Sequence, residues 1–265
     1  MIVECDEVVG ERILTLEGVN NFRDYGDYAV VGGGHVKRGA LWRSGQHVMA
    51  SDGDLDLIAA LGLTTVTDLR GDSERTLNPC RRHAGFAAQV LTCEGETAAL
   101  ASHIDAGSDV VTEADARGAM CRLYTEMPYR SNLVSVYRRH FAALAEGGGA
   151  SLIHCFAGKD RTGVAVALTH HVLGVHPDDA MADYLLTNQA MAGRDFQGKT
   201  GSDASRYAQM DEAASRALRG VSPEFLEAAF AAMRSSHGSL DAYLAQVLGV
   251  DEAMRERLRG ALVGW

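Results

Sequence analysis

One cysteine and one arginine, six positions apart, carry the clearest chemical signal in this sequence. Cys155 follows the apolar run 150–153, and Arg161 precedes a second apolar run at 164–168. The first run is predicted to be a buried strand, and the second is predicted to begin a buried helix. A loop of only five residues, 156–160, separates the two side chains. Cys155 is therefore expected at the end of a strand, close to a helix N-terminus.

That helix N-terminus is predicted to bind an anion. The first N–H groups of a helix have no partner within the helix, and the helix dipole adds partial positive charge there. The planar guanidinium of Arg161 can hold two oxygens of a phosphoryl group at once. The same positive field favours the thiolate form of Cys155, which is the nucleophilic form. A thiolate beside a phosphate site implies phosphoryl transfer to sulfur, followed by hydrolysis.

Residues 154–163 have the pattern His-Cys, five further residues, Arg and then Thr-Gly. This pattern resembles the active-site loop of the cysteine-dependent protein tyrosine phosphatases. The form Cys-Phe-Ala-Gly-Lys-Asp-Arg-Thr-Gly is similar to the bacterial tyrosine/lipid phosphatase branch of that superfamily. Other segments that resemble elements of this branch are spread over most of the chain: residues 20–24, 41–44, 61–70 with Glu74, and 239–244. The resemblance implies an α/β fold in which a mostly parallel central sheet is flanked by helices, with helical lid segments.

Each loop residue has an expected role in this chemistry. Backbone N–H groups of the loop are expected to hold the equatorial phosphate oxygens, and Arg161 to clamp two of them as charge shifts in the transition state. Thr162 is predicted to hydrogen-bond the sulfur of Cys155 and to stabilise it as a leaving group. Lys159 is expected to contact the substrate phosphate or a lid, and His154 to orient the loop. The predicted substrate-binding residues are Phe156, Ala157, Gly158, Lys159, Thr162 and Asp68.

The leaving group also needs a proton donor. Most of the superfamily uses an aspartate in a Trp-Pro-Asp setting, and that tripeptide does not occur in this sequence. The resemblance places the acid within the loop instead, at Asp160. Because the charge of Arg161 favours the carboxylate, the proton on Asp160 must be kept by burial or by a dianionic substrate.

Asp68 is the alternative acid. It lies at the end of the predicted strand 63–69, and ligands of open α/β sheets gather at the carboxyl ends of strands. Asp68 and Arg70 are therefore expected near Cys155. A plainer interpretation is that these two residues form ion pairs with each other or with Glu74 and Arg75.

Residues 1–265 are interpreted as one domain, because the chain is long enough for one large core and has only four prolines and no low-complexity linker. Between residues 93 and 127 the periodic pattern weakens, which suggests a loop with short helix. Residues 188–215 are rich in glycine and polar residues and then in alanine. These two segments are the lid candidates, since long stretches without strong structure often cover sites.

Three other classes of protein share part of this loop motif. A Walker loop is disfavoured, because Asp160 follows Lys159 where a serine or threonine is needed. A rhodanese-type sulfurtransferase does not need Arg161 and Thr162, and a non-catalytic phosphate-binding module is expected to lose Cys155 or Arg161. Substrates of phosphotyrosine, phosphoserine or phosphoinositide type are expected. A small metabolite such as a nucleotide or sugar monophosphate stays an alternative, because the sequence does not define the depth of the cleft.

The net charge restricts the classes of partner that are expected, and the cysteine content indicates the redox compartment. The formal net charge is −10, so the long-range field disfavours nucleic acid and anionic membrane surfaces. Residues 1–7 lack the basic and apolar pattern of a signal peptide, and no apolar run reaches the length of a membrane span, so neither feature is predicted. The five cysteines are not closely paired, which favours a reducing cytoplasm, although relatives in this branch can be exported without a recognisable signal. His170, His171 and His176 lack further ligands at usual spacing, so neither a metal nor another cofactor is predicted.

Overall fold

The computed structural model describes residues 12–97, 112–193 and 211–265. Within these ranges the strands are β1 Arg23–Asp24, β2 His35–Val36, β3 Leu41–Ser44, β4 Leu63–Asp68, β5 Gln89–Leu91, β6 Ala150–His154 and β7 Val263–Gly264. The helices are α1 Asp52–Ala60, α2 Asp72–Leu77, α3 Glu113–Glu126, α4 Ser131–Glu146, α5 Asp160–Leu173, α6 Pro177–Ala190, α7 Glu212–Arg219, α8 Pro223–His237, α9 Leu240–Tyr243 and α10 Glu252–Leu262. A 3₁₀ turn, Met127–Tyr129, precedes α4, and a π turn, Leu244–Leu248, follows α9.

The main sheet has the order β1-β3-β6-β4-β5, with β6 at its centre. Strands β3, β6, β4 and β5 run parallel, and β1 pairs antiparallel with β3 at one edge. This confirms the predicted mostly parallel α/β fold. Both neighbours of β6 end level with it, because Ser44 and Asp68 are each in register with His154. Three strand ends therefore meet beside Cys155.

Apolar side chains from both faces of β6 build the core. Leu152 packs in one cluster with Trp42, Val66 and residues of α1, whereas Ile153 packs in the other with residues of α4, α5 and α8. All five residues of β6 are buried, as expected for a central parallel strand. Helix α5 is buried over nearly its whole length and ends at Gly174, in agreement with the prediction.

Residues 93–127 are predicted to be a loop with short helix, and in the structure the second half of this segment is a longer helix of 14 residues, α3. Thr112 caps helix α3, because its hydroxyl accepts from the N–H of Asp115. The Asp115 carboxylate in turn accepts from the N–H of Thr112. The helix then buries one stripe at helical spacing: Ala116, Ala119, Met120, Leu123 and Tyr124. Two of these five residues are small alanines, which weakens the hydrophobic pattern of this segment.

Parts of both lid candidates, residues 98–111 and 194–210, lie outside the described residues. A role of either segment as a lid stays a prediction. Among the described residues, no helix combines the length and apolar character that crossing a membrane requires. Cys80, Cys93, Cys121 and Cys155, the cysteines in the described ranges, carry free thiols.

Candidate active site

The loop between β6 and α5 is fixed at Gly158. This residue has φ +70°, and a Cβ atom built on it would lie 2.3 Å from the carbonyl oxygen of Ser44. Only glycine fits this position without strain. The Gly158 carbonyl accepts from Nδ2 of Asn21 at 2.7 Å and from Nη2 of Arg43 at 2.8 Å. Side chains from the N-terminal segment and from β3 thus hold the loop at its midpoint.

A buried cluster of three charged side chains holds Arg43 in place. Asp183 on α6 accepts from Nη1 of Arg43 at 3.0 Å and from Nε of Arg23 at 3.3 Å, and all three side chains are fully buried. Burial alone would raise the pKa of Asp183, but the charges of the two arginines lower it well below its ordinary value. The carboxylate therefore stays charged and keeps both guanidinium groups in place.

Sequence reasoning missed Asp183. Hydrophobic spacing alone predicts that the buried face of this helix consists of Ala180, Met181, Tyr184 and Leu185. The buried residues are Ala180, Asp183, Tyr184 and Thr187, and Met181 and Leu185 are only partly buried. An aspartate at helical spacing from two buried neighbours was the available signal.

Cys155 lies at the base of the loop and is only 2% exposed. After it come four residues, Phe156, Ala157, Gly158 and Lys159, whose backbone N–H groups donate to no acceptor within the described part of the chain. Four neighbouring N–H donors without acceptors at the start of α5 are what an oxyanion site requires. Phe156 and Ala157 are themselves partly exposed and line a shallow cavity beside Met49.

Arg161 points inward rather than to solvent. Its Nη2 lies 2.7 Å from Oε1 of Glu74 and its Nη1 contacts Oε2 of the same carboxylate. Nη1 also donates to Oγ1 of Thr97 at 3.0 Å and to the carbonyl of Leu69 at 3.2 Å. Burial alone would raise the pKa of Glu74, but the charge and hydrogen bonds of Arg161 lower it. The pair fixes the guanidinium in one orientation in the first turn of α5.

Asp160, the predicted acid, is held by a tyrosine. Its Oδ1 accepts from the hydroxyl of Tyr124 at 2.8 Å, and that hydroxyl in turn accepts from Tyr184 at 2.7 Å. Nζ of Lys159 lies 3.4 Å from the same carboxylate oxygen. The remaining contacts of Nζ are the carbonyls of Leu218 at 2.6 Å and Gly220 at 3.0 Å. Lys159 therefore joins the loop to the end of α7.

Asp68, the alternative acid, is hydrogen-bonded to an arginine rather than to a tyrosine. Arg70 donates to both of its oxygens, from Nε at 2.9 Å and from Nη2 at 2.8 Å, which is the plainer of the two sequence interpretations. Arg75 instead pairs with Asp72. Burial alone would raise the pKa of Asp68, but His154 and Arg70 lower it well below its ordinary value. A carboxyl group held so firmly as its anion is a poor proton donor.

Asp68, Cys80 and His154 form a cluster of potential metal ligands whose ligand atoms lie within 4.8 Å of one another. Nη2 of Arg70 lies 2.8 Å from Asp68 and 3.1 Å from the sulfur of Cys80. The guanidinium thus already supplies the positive charge that a metal ion would bring. Burial lowers the pKa of His154 to about 4, so its ring is neutral near pH 7.

The prediction for Thr162 is not met in this geometry. Its hydroxyl is fully buried and has no hydrogen-bond partner within the described residues, so it does not donate to the sulfur of Cys155. Nδ1 of His154 lies 3.4 Å from the Cys155 carbonyl, in keeping with a role in orienting the loop. His170 and His171 have separate partners, the carbonyl of Tyr25 and the carboxylate of Asp241.

Comparisons with known proteins extend over almost the whole chain. A family model described as "Tyrosine phosphatase family" matches residues 14–264. A candidate tyrosine-protein phosphatase of Cupriavidus necator is 35% identical over 259 residues, which cover 96% of this chain and 89% of that protein. The triple specificity protein phosphatase PtpB of Mycobacterium tuberculosis is 29% identical over 279 residues, with 94% and 98% coverage. A tyrosine-protein phosphatase of Nostoc commune is 27% identical over 218 residues, with 79% and 69% coverage.

Proposed function

Because the chain belongs to the tyrosine phosphatase family, we propose that it hydrolyses phosphomonoesters through a cysteinyl-phosphate intermediate on Cys155. The observation that carries this proposal is the loop itself. Four successive backbone N–H groups without acceptors in the described chain lie between Cys155 and the buried guanidinium of Arg161. A cysteine at the base of such an oxyanion site is placed for nucleophilic attack on phosphorus.

The reaction has two steps. In the first, the Cys155 thiolate attacks phosphorus in line, the S–P bond forms and the P–O bond to the leaving group breaks. Asp160 gives its proton to the departing oxygen, because an alkoxide or phenoxide is otherwise a poor leaving group. In the second step, the Asp160 carboxylate takes a proton from water as its oxygen attacks phosphorus, the S–P bond breaks to restore the Cys155 thiolate, and inorganic phosphate is released. Arg161 and the loop N–H groups stabilise the equatorial oxygens in both steps.

The assignment of the acid to Asp160 is supported by its surroundings. Asp160 accepts one hydrogen bond, from the neutral Tyr124 hydroxyl, and the Lys159 ammonium 3.4 Å away donates to two carbonyls instead. Asp68, in contrast, accepts from the guanidinium of Arg70 at both oxygens. A neutral donor can serve a carboxylic acid as well as a carboxylate, but a bidentate guanidinium strongly favours the anion. We therefore assign proton donation to Asp160 and a positioning role to Asp68.

For substrates we propose phosphorylated tyrosine, serine and phosphoinositide headgroups. PtpB, which is similar over 94% of this chain, is named a triple specificity protein phosphatase. A panel that also contains nucleotide and sugar monophosphates tests this class. A kcat/KM that is higher for the metabolites than for every phosphopeptide and phosphoinositide contradicts the proposed substrate class but leaves the mechanism intact.

The test of the mechanism is turnover of p-nitrophenyl phosphate by the wild-type protein and by Cys155→Ser. We expect the variant to lose turnover and still to bind inorganic phosphate, because the loop N–H groups and Arg161 remain. Rapid quenching of the wild-type protein with substrate, followed by mass spectrometry, is expected to find phosphate on the Cys155 peptide. Undiminished turnover in Cys155→Ser, or an inactive wild-type protein, overturns the proposal.

A further inference from the structure

We propose that Tyr124 and Tyr184 are positioning residues for the proton donor Asp160, acting together as a hydroxyl chain that fixes which carboxyl oxygen faces the leaving group. The inference rests on the proposed function and adds to it two residues that lie outside the loop. Tyr124 belongs to α3, and Tyr184 belongs to α6.

The direction of the chain follows from its acceptor. An ionised carboxylate can only accept, so the Tyr124 hydroxyl donates its single proton to Oδ1 of Asp160 over 2.8 Å. The Tyr124 oxygen is then free to accept, and Tyr184 donates to it over 2.7 Å. Both hydroxyl protons thus point towards Asp160.

The hydroxyl chain is compatible with both the ionised and the protonated form of Asp160. When Asp160 is protonated on Oδ2, Oδ1 is a carbonyl oxygen that still accepts from Tyr124. No donor contacts Oδ2 within the described residues, and the Asp160 side chain keeps 11% of its exposure. Oδ1 is therefore the anchored oxygen, and Oδ2 is the oxygen left to carry the transferable proton.

Both tyrosines stay protonated over the working range of a phosphatase. Burial, and next the charge of Asp160, raise the pKa of Tyr124 well above its usual value. Burial and the same carboxylate also raise the pKa of Tyr184 well above its usual value. Neither hydroxyl becomes a competing anion, so the chain donates towards Asp160 at every pH at which the loop is functional.

Packing restricts the movement of the two tyrosine side chains. The rings of Tyr124 and Tyr184 meet edge to face, with centroids 6.4 Å apart, and Tyr124 also packs on Phe225. Gly163 in the first turns of α5 permits this approach, because a Cβ there would lie 2.9 Å from Cε2 of Tyr184. Tyr184 follows Asp183, which holds Arg43 under the loop. Helix α6 thus places the loop and its acid as one unit.

The experiment compares Tyr124→Phe and Tyr184→Phe with the wild-type protein on p-nitrophenyl phosphate and phenyl phosphate. The ratio of kcat/KM for the two esters is the readout, because only the poor leaving group depends strongly on a proton donor. Tyr243→Phe is the matched control, since it is also buried and donates to one acceptor, the carbonyl of Pro128 at 2.7 Å.

We expect Tyr124→Phe to lose on the order of tenfold in kcat/KM for phenyl phosphate and less than about threefold for p-nitrophenyl phosphate. Tyr184→Phe should shift the ratio in the same direction by less, and Tyr243→Phe should not shift it. In a background of Asp160→Asn, Tyr124→Phe should no longer change the ratio, because the two residues act through one proton.

An active wild-type protein whose ratio is the same in both tyrosine variants overturns the hydroxyl chain alone. Equal losses on both esters also overturn it, since they indicate a general effect on packing. If Tyr124→Phe does not fold, as judged by thermal unfolding, the ratio in Tyr184→Phe decides. A wild-type protein that hydrolyses neither ester contradicts the proposed function itself, which keeps the two failures distinct.

Discussion

Glu74 and Arg161 form a buried two-point ion pair, with Nη2 of Arg161 2.7 Å from Oε1 of Glu74 and Nη1 in contact with Oε2. Eighty-seven positions separate them in the sequence. The carboxylate comes from the first turn of α2, just beyond β4, and the guanidinium from the first turn of α5. Glu74 thus fixes the plane and orientation of the guanidinium that we propose to bind phosphate.

Glu74→Gln is expected to lower kcat/KM for p-nitrophenyl phosphate by roughly tenfold to a hundredfold, because the guanidinium loses its charged partner and its fixed orientation. The amide keeps the size of the side chain but turns one acceptor into a donor that faces Arg161. Glu212→Gln is the control, since Glu212 pairs with Arg216 on the surface, where such a pair contributes little. Steady-state kinetics check both variants, and a Glu74→Gln enzyme with wild-type efficiency contradicts this role.

Asp160→Asn is expected to slow phenyl phosphate by about a hundredfold or more, and p-nitrophenyl phosphate much less, because only the poorer leaving group needs the proton. Asp68→Asn should lower both rates in similar proportion if it acts by holding Arg70 and His154 in place. The measurement is kcat/KM for both esters in each variant. A selective loss on phenyl phosphate in Asp68→Asn, rather than in Asp160→Asn, would transfer the acid role to Asp68.

Buried histidines predict a loss of stability in mild acid. Burial lowers the pKa of His140 from 6.5 to about 4. Between these values the unfolded chain binds a proton that the folded chain does not, so the free energy of unfolding falls as the pH drops from 6.5 towards 4. Above pH 6.5 both states hold a neutral ring, and this group contributes no slope.

Urea unfolding of His140→Phe at a series of pH values tests this expectation. The variant should lose part of the decline between pH 6.5 and 4, on the order of 1–3 kcal/mol. Above pH 6.5 it should be less stable than the wild-type protein, because Nδ1 of His140 bonds the Thr67 hydroxyl at 3.0 Å and that partner is lost. The exposed His35→Gln should keep the wild-type slope. An unchanged slope in His140→Phe would show that this ring does not contribute.

Local pattern was sufficient for the framework around the loop. The strand before Cys155 and the buried helix after Arg161 each follow from the hydrophobic pattern within about ten residues. The strand ends predict that Asp68 lies near Cys155, and the register of β4 and β6 places Asp68 level with His154, the residue before Cys155. These features depend on neighbours in sequence, or on the geometry common to parallel sheets.

Helix α3 and the buried face of α6 were harder to predict, and for a related reason. Alanines form two of the five residues in the buried stripe of α3, and Asp183 interrupts the apolar stripe of α6. In both helices tertiary contacts decide which residues are buried. Thr162 shows the same limit at the level of one hydroxyl, since its expected bond to the Cys155 sulfur is absent from the described geometry.

By itself, the sequence determined which cysteine, arginine and loop are the proposed nucleophile and anion site, because a short strand–loop–helix motif contains all three. Only the tertiary structure decided what holds them: Glu74 on Arg161, Asp183 beneath Arg43, and Tyr124 with Tyr184 on Asp160. These partners come from elements far along the chain. A buried charge or hydroxyl must be paired wherever the fold brings a partner, and no local spacing encodes which residue that will be.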